Sequence, residues 1–337
     1  MHYGRFVSPP YALSDKKYWI SPGYEKLQGI AHSLDRSLEC NPGARLSYQS
    51  SENLENRSGC AHNPLVLFLH TQKGRTVKLP IYQVDAFTSE VFGGNPAAVC
   101  PLEEWIDDAK MQAIAAENSL SETAFFAKEG DHYKLRWFTP ACEVNLCGHA
   151  TLASAFIYMN KLEPAQRSIQ FETRSGRLVV RREGELLAMD LPALPPWNVP
   201  AIPADLRNGL DLAPKALWQV QDNYFAIYQN EEEILRVQPN SAMLGKLHPF
   251  GVCITAPGNH SDFVSRYFAP SYGIQEDPVT GSTHCSLTPY WSQRLNKQKL
   301  HAFQVSARRG ELWCEMAGDR VIVRGKAALY LEGSILL

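Results

Sequence analysis

Arg136-Trp137-Phe138-Thr139-Pro140 and Arg266-Tyr267-Phe268-Ala269-Pro270 are one pattern written twice, 130 residues apart (140 to 270). Acidic residues follow each Pro: Glu143 in the first copy, Glu276 and Asp277 in the second. Each copy then makes a glycine turn, Gly148-His149-Ala150-Thr151 or Gly281-Ser282-Thr283-His284, and a run of small and apolar residues follows. Further on, Thr173-Arg174-Ser175-Gly176-Arg177-Leu178 is answered by Ala307-Arg308-Arg309-Gly310-Glu311-Leu312. Echoes in one order at a nearly constant offset indicate an old duplication. The period is far longer than the ~20–50 residues of solenoid repeats, so it gives two domains of one kind rather than an array.

Working outward, residues 81–87 alternate as a strand and 92–96 (Phe92-Gly93-Gly94-Asn95-Pro96) form a turn. A strand at 97–100 and an amphipathic helix at 106–117 come next. Strands at 122–127 and 133–138 flank a polar turn, and 150–162 reads as a buried helix. Strands follow at 169–171, 178–182 and 186–191. Residues 192–203 hold five prolines and read as the linker between lobes 77–195 and 204–337. The second half repeats the order: strands and a turn over 218–228, a short helix at 241–247, a hairpin at 251–256 and 262–268, and a helix at 285–295. Strands at 303–307, 310–316, 320–323 and 327–330 finish the chain. Many strands with one prominent helix per half give an α+β class.

Residues 1–76 carry Pro9-Pro10, Pro22-Gly23, Pro42-Gly43 and many Ser and Asn, with little periodicity. They read as a poorly ordered upstream extension that adds nothing to the fold. If the source is bacterial, translation could start at Val77. A partner-binding arm is the alternative.

The 337 residues suit about two domains. An apolar content of 45% is ample for buried cores, and a net charge of −2 gives no bulk attraction for nucleic acid or an acidic membrane. No apolar run approaches the ~20 residues that span a bilayer. The eight cysteines have no CxxC or zinc-type spacing, and no secretory signal pattern opens the chain; they read as reduced, cytoplasmic thiols.

The chemistry points to Asn118–Thr151 and its echo. A helix start leaves backbone N–H groups unpaired and favours negative charge. Gly148 and Gly281 would let an anion approach two such starts; ordinary capping by Asn145, Ser282 or Thr283 is the alternative. Glu122 stands beside Ser121. A carboxylate in a closed cleft is disfavoured in its charged form and trades protons near neutral pH, and a neighbouring Asp277 would add a like charge. His149 is the natural second proton carrier. A surface Glu and a structural His are the ordinary alternatives. No GxSxG elbow, Walker loop or dinucleotide fingerprint is present. What remains is proton transfer by side chains, with no cofactor or metal.

From about residue 79 onward the chain resembles the PhzF-like phenazine-biosynthesis family. The marks are Val84-Asp85-Ala86-Phe87, Phe92-Gly93-Gly94-Asn95-Pro96-Ala97, Ser121-Glu122-Thr123-Ala124-Phe125, Cys147-Gly148-His149-Ala150-Thr151 and Glu276-Asp277-Pro278-Val279-Thr280-Gly281-Ser282. Residues 1–76 have no counterpart in it. The resemblance implies a diaminopimelate epimerase-like fold: two pseudo-symmetric lobes, each a mostly antiparallel sheet wrapped around a central helix, with the site between them. It implies a homodimer without a cofactor. It implies Glu122 as general acid/base with His149, Asp277 and Ser282 beside it; Ser121, Asn95, Gly148 and Gly281 complete the expected substrate contacts. The family's founding activity is isomerisation of a dihydro-hydroxyanthranilate. The epimerase itself needs two opposed cysteines. Cys147 stands where the first would be, but Asp277-Pro278-Val279-Thr280 offers no second, so Cys147 reads as a packed thiol. The expected activity is a cofactor-independent isomerase of a small carboxylate-bearing molecule. A racemase or epimerase, or a two-lobed binding protein, is the alternative.

Overall fold

The computed structural model describes residues 77–337. The expectation for residues 1–76 lies outside the described residues. Nine strands come first: β1 (Lys78–Ala86), β2 (Asn95–Leu102), β3 (Glu122–Glu129), β4 (His132–Phe138), β5 (Glu143–Val144), β6 (Ser168–Thr173), β7 (Gly176–Glu183), β8 (Leu186–Pro192) and β9 (Trp197–Val199). Nine more follow: β10 (Ala216–Val220), β11 (Asn223–Ile227), β12 (Gly251–Pro257), β13 (Phe263–Ala269), β14 (Ile274–Asp277), β15 (Lys299–Gln304), β16 (Gly310–Ala317), β17 (Arg320–Gly325) and β18 (Ala327–Leu336).

The second set pairs as the first does. β1–β2 is antiparallel, β2–β3 parallel, β3–β4 and β4–β5 antiparallel, β4–β6 parallel, and β6–β7 and β7–β8 antiparallel. From β10 to β17 the same directions recur in the same order. β8 and β17 pair antiparallel and join the halves. The last strand of each set then crosses over: β9 lies beside β10, and β18 beside β1.

Parallel neighbours need crossovers, and these carry the helices. In the first half they are α1 (Asp108–Asn118) and α2 (Gly148–Ile157). A short α3 (Ala204–Gly209) precedes β10; α4 (Glu231–Arg236), α5 (Ser241–Leu244) and α6 (His284–Leu295) serve the second half. Every residue of α2 except Phe156 is buried, and the helix packs against β1, β2, β3 and β8. Its Ala150, Ala153 and Ala155 let the sheet close around it. α6 packs on β15, β16 and β17. Its Trp291 stacks on Phe263 at 5.8 Å and donates Nε1–H to Thr255 Oγ1 at 3.0 Å. Outside the sheets, α1 buries Met111, Ile114 and Ala115 with Phe125 and Phe138. The second half answers with Leu206, Ile234 and Leu244 packed with Val252, Ile254 and Phe268. Each fully buried Leu, Ile or Phe contributes about 1.5–3 kcal/mol.

The doubled Arg motif has a structural reason. Arg136 holds Glu143 through Nε and Nη2, both at 2.8 Å, and Arg266 holds Glu276 at 2.8 and 2.9 Å. Each guanidinium also lies over a Phe ring, Phe138 at 5.1 Å and Phe268 at 5.0 Å. These forks hold β5 beside β4 and β14 beside β13.

Three expectations shift. The helix expected over 150–162 ends at Ile157 and continues as a wider π turn, Tyr158–Leu162, which keeps both Tyr158 and Met159 buried. The strand expected at 303–307 begins earlier and ends at Gln304 as β15 (Lys299–Gln304), in which Leu300, Ala302 and Gln304 alternate into the core behind an exposed Lys299. The proline-rich linker contains β9, which satisfies its backbone on β10.

Candidate active site

A cavity of about 450 Å³ is lined from both halves. Glu122, Cys147, Gly148 and His149 come from the first; Tyr267, Asp277, Thr280, Gly281 and Ser282 from the second. Glu122 opens β3, and His149 stands in the first turn of α2. The two glycine turns meet: a Cβ placed on Gly148 would lie 3.4 Å from Gly281 Cα. Neither α2 nor the Gly281–Thr283 turn ahead of α6 has a side-chain cap, so capping by Asn145, Ser282 or Thr283 is not what these turns do. Both turns stand in the cavity wall.

A chain of polar contacts runs through this wall. Glu122 Oε2 lies 3.2 Å from His149 Nε2. The Glu122 side chain is only 12% exposed, which removes the reading of a surface Glu. The contact is off the N–H direction, so Oε2 has no formed hydrogen bond among the described residues. Asn95 Nδ2 donates to Asp277 Oδ1 at 2.7 Å and to Val279 O at 2.9 Å, and lies 3.2 Å from His149 Nδ1. Those two acceptors use both amide hydrogens. His149 Nδ1 is thereby left to the Cys147 sulfur at 3.5 Å. Glu122, His149, Asn95 and Asp277 thus stand in one line across the junction of the halves.

Burial sets the protonation here. Asp277 is pushed up to about 6, first by desolvation, with the Glu122 charge adding to it; His149 and the Thr280 and Asn95 hydrogen bonds act the other way. Burial disfavours a charged His149, but Cys147 and Glu122 outweigh it and hold its pKa well above the ordinary histidine range. Cys147 is itself pushed up to about 11, chiefly by burial, so it is a neutral thiol at neutral pH.

Gly148, Gly281 and Ser282 stand in the cavity wall as expected, but Asn95 and Ser121 do not. Asn95 is fully buried behind it, and Ser121 Oγ donates to Asn95 Oδ1 at 3.2 Å, fixing the amide's orientation. Sequence reasoning missed Thr280, whose Oγ1 donates to Asp277 Oδ2 at 2.5 Å, and Gln304. The buried Gln304 amide binds Asp277 O at 2.8 Å and Thr280 N at 2.7 Å and so holds the loop between them. It also missed Tyr267, although the repeat names it as the partner of Trp137. Tyr272 lines the cavity with no sequence signal at all. Among the described residues, the Glu122 oxygen, Cys147 sulfur and His149 nitrogen are the group of three potential metal donors, all within 4.8 Å of one another. No helix of the described residues is long and apolar enough to cross a membrane.

The comparisons agree with this architecture. The family model "Phenazine biosynthesis-like protein" (PhzC-PhzF) matches residues 84–333. Two proteins of Pseudomonas aeruginosa, each named an uncharacterized isomerase, are 51% and 48% identical over 261 residues, covering 77% of this chain and all of theirs. A crystal structure of a PhzF-family protein from Enterococcus faecalis superposes with a TM-score of 0.74 at 45% identity, covering 77% of this chain and all of that one. A predicted epimerase from Pseudomonas aeruginosa, at 20% identity and a TM-score of 0.61, shares the fold. On its motifs, its doubled α+β architecture and these matches, the chain belongs to the phenazine biosynthesis-like (PhzF) family.

Proposed function

We propose that this protein is a cofactor-independent isomerase that moves a proton within a small carboxylate-bearing substrate, with Glu122 as the shuttling acid/base. The observation that carries the reading is the cavity whose wall holds Glu122 and His149 from one half and Asp277 from the other. The substrate would enter between lobes 77–195 and 204–337. Among the described residues the cavity wall has no Lys or Arg. The substrate carboxylate would therefore rest on the N–H groups of the two glycine turns and on the Ser282 hydroxyl.

In the forward step Glu122 removes a proton from an acidic carbon: the C–H bond breaks, an O–H bond forms, and the electron pair enters the substrate's conjugated carboxylate system. Glu122 then delivers a proton to a different carbon, so the electrons balance without an oxidant, and exchange of that proton with water while it rests on Glu122 lets solvent deuterium into the product. His149 stands beside Glu122, and Asp277, held by Asn95 and Thr280, provides a proton-exchanging neighbour on the far side. Such positioned acid/base groups are worth roughly 10²–10⁴-fold in rate. The reading carries with it a homodimer in the cytoplasm, which light scattering and cell fractionation check.

Small carboxylates are screened for solvent-deuterium incorporation, and Glu122→Gln is compared on any substrate found. The variant should melt like the parent and lose exchange by at least roughly 10²-fold. A folded Glu122→Gln that still exchanges deuterium at the parent rate removes Glu122 from the chemistry. A molecule that raises the melting temperature without any exchange favours the binding-protein alternative.

A further inference from the structure

Cys147 takes no part in the proton transfer above, yet it shares the cavity wall with the two groups that do. Its backbone is extended (φ −144°, ψ 113°) just before α2, so the spacing Cys147-Gly148-His149 turns sulfur and imidazole the same way. The sulfur lies 3.9 Å from His149 Nε2, and that nitrogen lies 3.2 Å from Glu122 Oε2. Tetrahedral zinc, with bonds of about 2.0–2.3 Å, sets its donors about 3.3–3.6 Å apart. The two short edges are already near that range, and the longest of the three, within 4.8 Å, closes with a side-chain adjustment of about 1 Å. A second observation points the same way: Glu122 Oε2 is buried with a lone pair that no hydrogen bond uses.

We propose that Glu122, Cys147 and His149 form a binding site for one thiophilic divalent cation of the Zn²⁺ class. Binding breaks the Cys147 S–H bond and any N–H bond at His149 Nε2, releases those protons to solvent, and forms metal–sulfur, metal–nitrogen and metal–oxygen bonds. No electron changes hands. The +2 charge is matched by one thiolate and one carboxylate, which suits a buried site. The fourth coordination position faces the cavity. A sulfur–nitrogen–oxygen set selects Zn²⁺ and Cd²⁺ over Mg²⁺ and Ca²⁺, which prefer oxygen alone.

The metal site does not require the isomerase reading, because the test reads the metal–sulfur bond rather than turnover. The full chain, stripped with a chelator, is titrated with Cd²⁺ while the ultraviolet sulfur-to-cadmium charge-transfer band is recorded. Cys147→Ser, Cys142→Ser and Glu122→Gln are titrated in parallel, with circular dichroism to verify folding. The parent and Cys142→Ser should bind one more equivalent, with one more unit of the band, than Cys147→Ser. Glu122→Gln should bind that equivalent at least about tenfold more weakly. Zn²⁺ should displace the Cd²⁺, and Mg²⁺ should not. Equal uptake and equal band in the parent and Cys147→Ser would overturn the site. So would an unchanged affinity in Glu122→Gln, which also serves if Cys147→Ser does not fold.

Discussion

Replacing Asp277 by Asn should make this protein's stability depend differently on pH. The folded protein holds the Asp277 proton up to about pH 6, against an ordinary aspartate value of 3.8. Burial is the main cause, and the Glu122 charge adds to it. Below about pH 4 the group is protonated both folded and unfolded and contributes no penalty. Between about pH 4 and 6 the unfolded chain gives up the proton first, so stability falls as pH rises. Above that, both states are ionised and the penalty is constant. At about 1.36 kcal/mol per tenfold change in proton affinity, the full penalty is about 3 kcal/mol. Asn has the same shape and keeps an acceptor for Asn95 Nδ2, but it does not titrate. Urea unfolding followed by tryptophan fluorescence, at steps from about pH 4 to 8, measures both proteins. The difference between Asp277→Asn and the parent should move by about 3 kcal/mol in the variant's favour across that range. Any constant offset from altered hydrogen bonds to Thr280 drops out of this comparison. A difference that stays flat with pH would refute the claim that the second half contributes a desolvated, proton-holding carboxyl.

Two predictions concern the turn that carries Asn95, with Gly130 in the β3–β4 turn as a control. Gly94 has φ +57°, and a Cβ there would lie 2.1 Å from Ala86 O, so Gly94→Ala should cost about 3 kcal/mol or more. Gly130 has φ +62° with nothing within 4 Å, so Gly130→Ala should cost only about 1–2 kcal/mol; equal losses in melting temperature would contradict the steric account. Arg308 reaches from the second half to Gly94 O at 2.9 Å, Gly93 O at 2.8 Å and the buried Asp85 Oδ1 at 2.8 Å. Arg308→Ala leaves that carboxylate with the Phe92 N–H and should cost about 3 kcal/mol in denaturant unfolding. A loss below about 1 kcal/mol would mean that the clamp is not what holds the turn.

The duplication was legible because it is written in residues whose roles are local. An Arg that forks onto a carboxylate on the neighbouring strand needs the same neighbours in each copy, so Arg136 and Arg266 keep their surroundings. The hairpins β3–β4 and β12–β13 showed as alternation around polar turns. What did not show was anything set by contacts far along the chain. Asn95 looked like a ligand contact, but its partners Asp277 and Val279 lie more than 180 residues away. Gln304 carries no motif, and its role exists only because β15 lies parallel to β13 and brings it under the Asp277–Thr280 loop. The exchange of β9 and β18 between halves was equally hidden, since edge pairing depends on which strand the fold leaves uncovered.

The duplication also shows where the halves diverged. Trp137 faces Ala124 across β3–β4, and Tyr267 faces Cys253 across β12–β13. Two residues back from Ala124 is Glu122; two back from Cys253 is Gly251. The parallel neighbours agree, since Glu122 pairs with Ala97 and Gly251 with Asn223. The second half therefore has no side chain at the place of the Glu122 carboxyl. The Tyr267 phenol takes that room: a Cβ on Gly251 would lie 2.0 Å from its oxygen, which donates to Asn223 Oδ1 at 2.7 Å. Asp277 shows the converse. It pairs with Tyr267 on β14, and the matching partner of Trp137 on β5 is Val144. The glycine turns differ in the same sense, with Cys147 and His149 on one side and Thr280 and Ser282 on the other. A racemase that works from both faces of a carbon is served by like bases at equivalent places. Here each half has given up the acid that the other retains, which leaves one carboxylate at the β3 start and one hydrogen-bonded acid opposite it. That asymmetry favours a single base that collects a proton and returns it elsewhere on the same molecule.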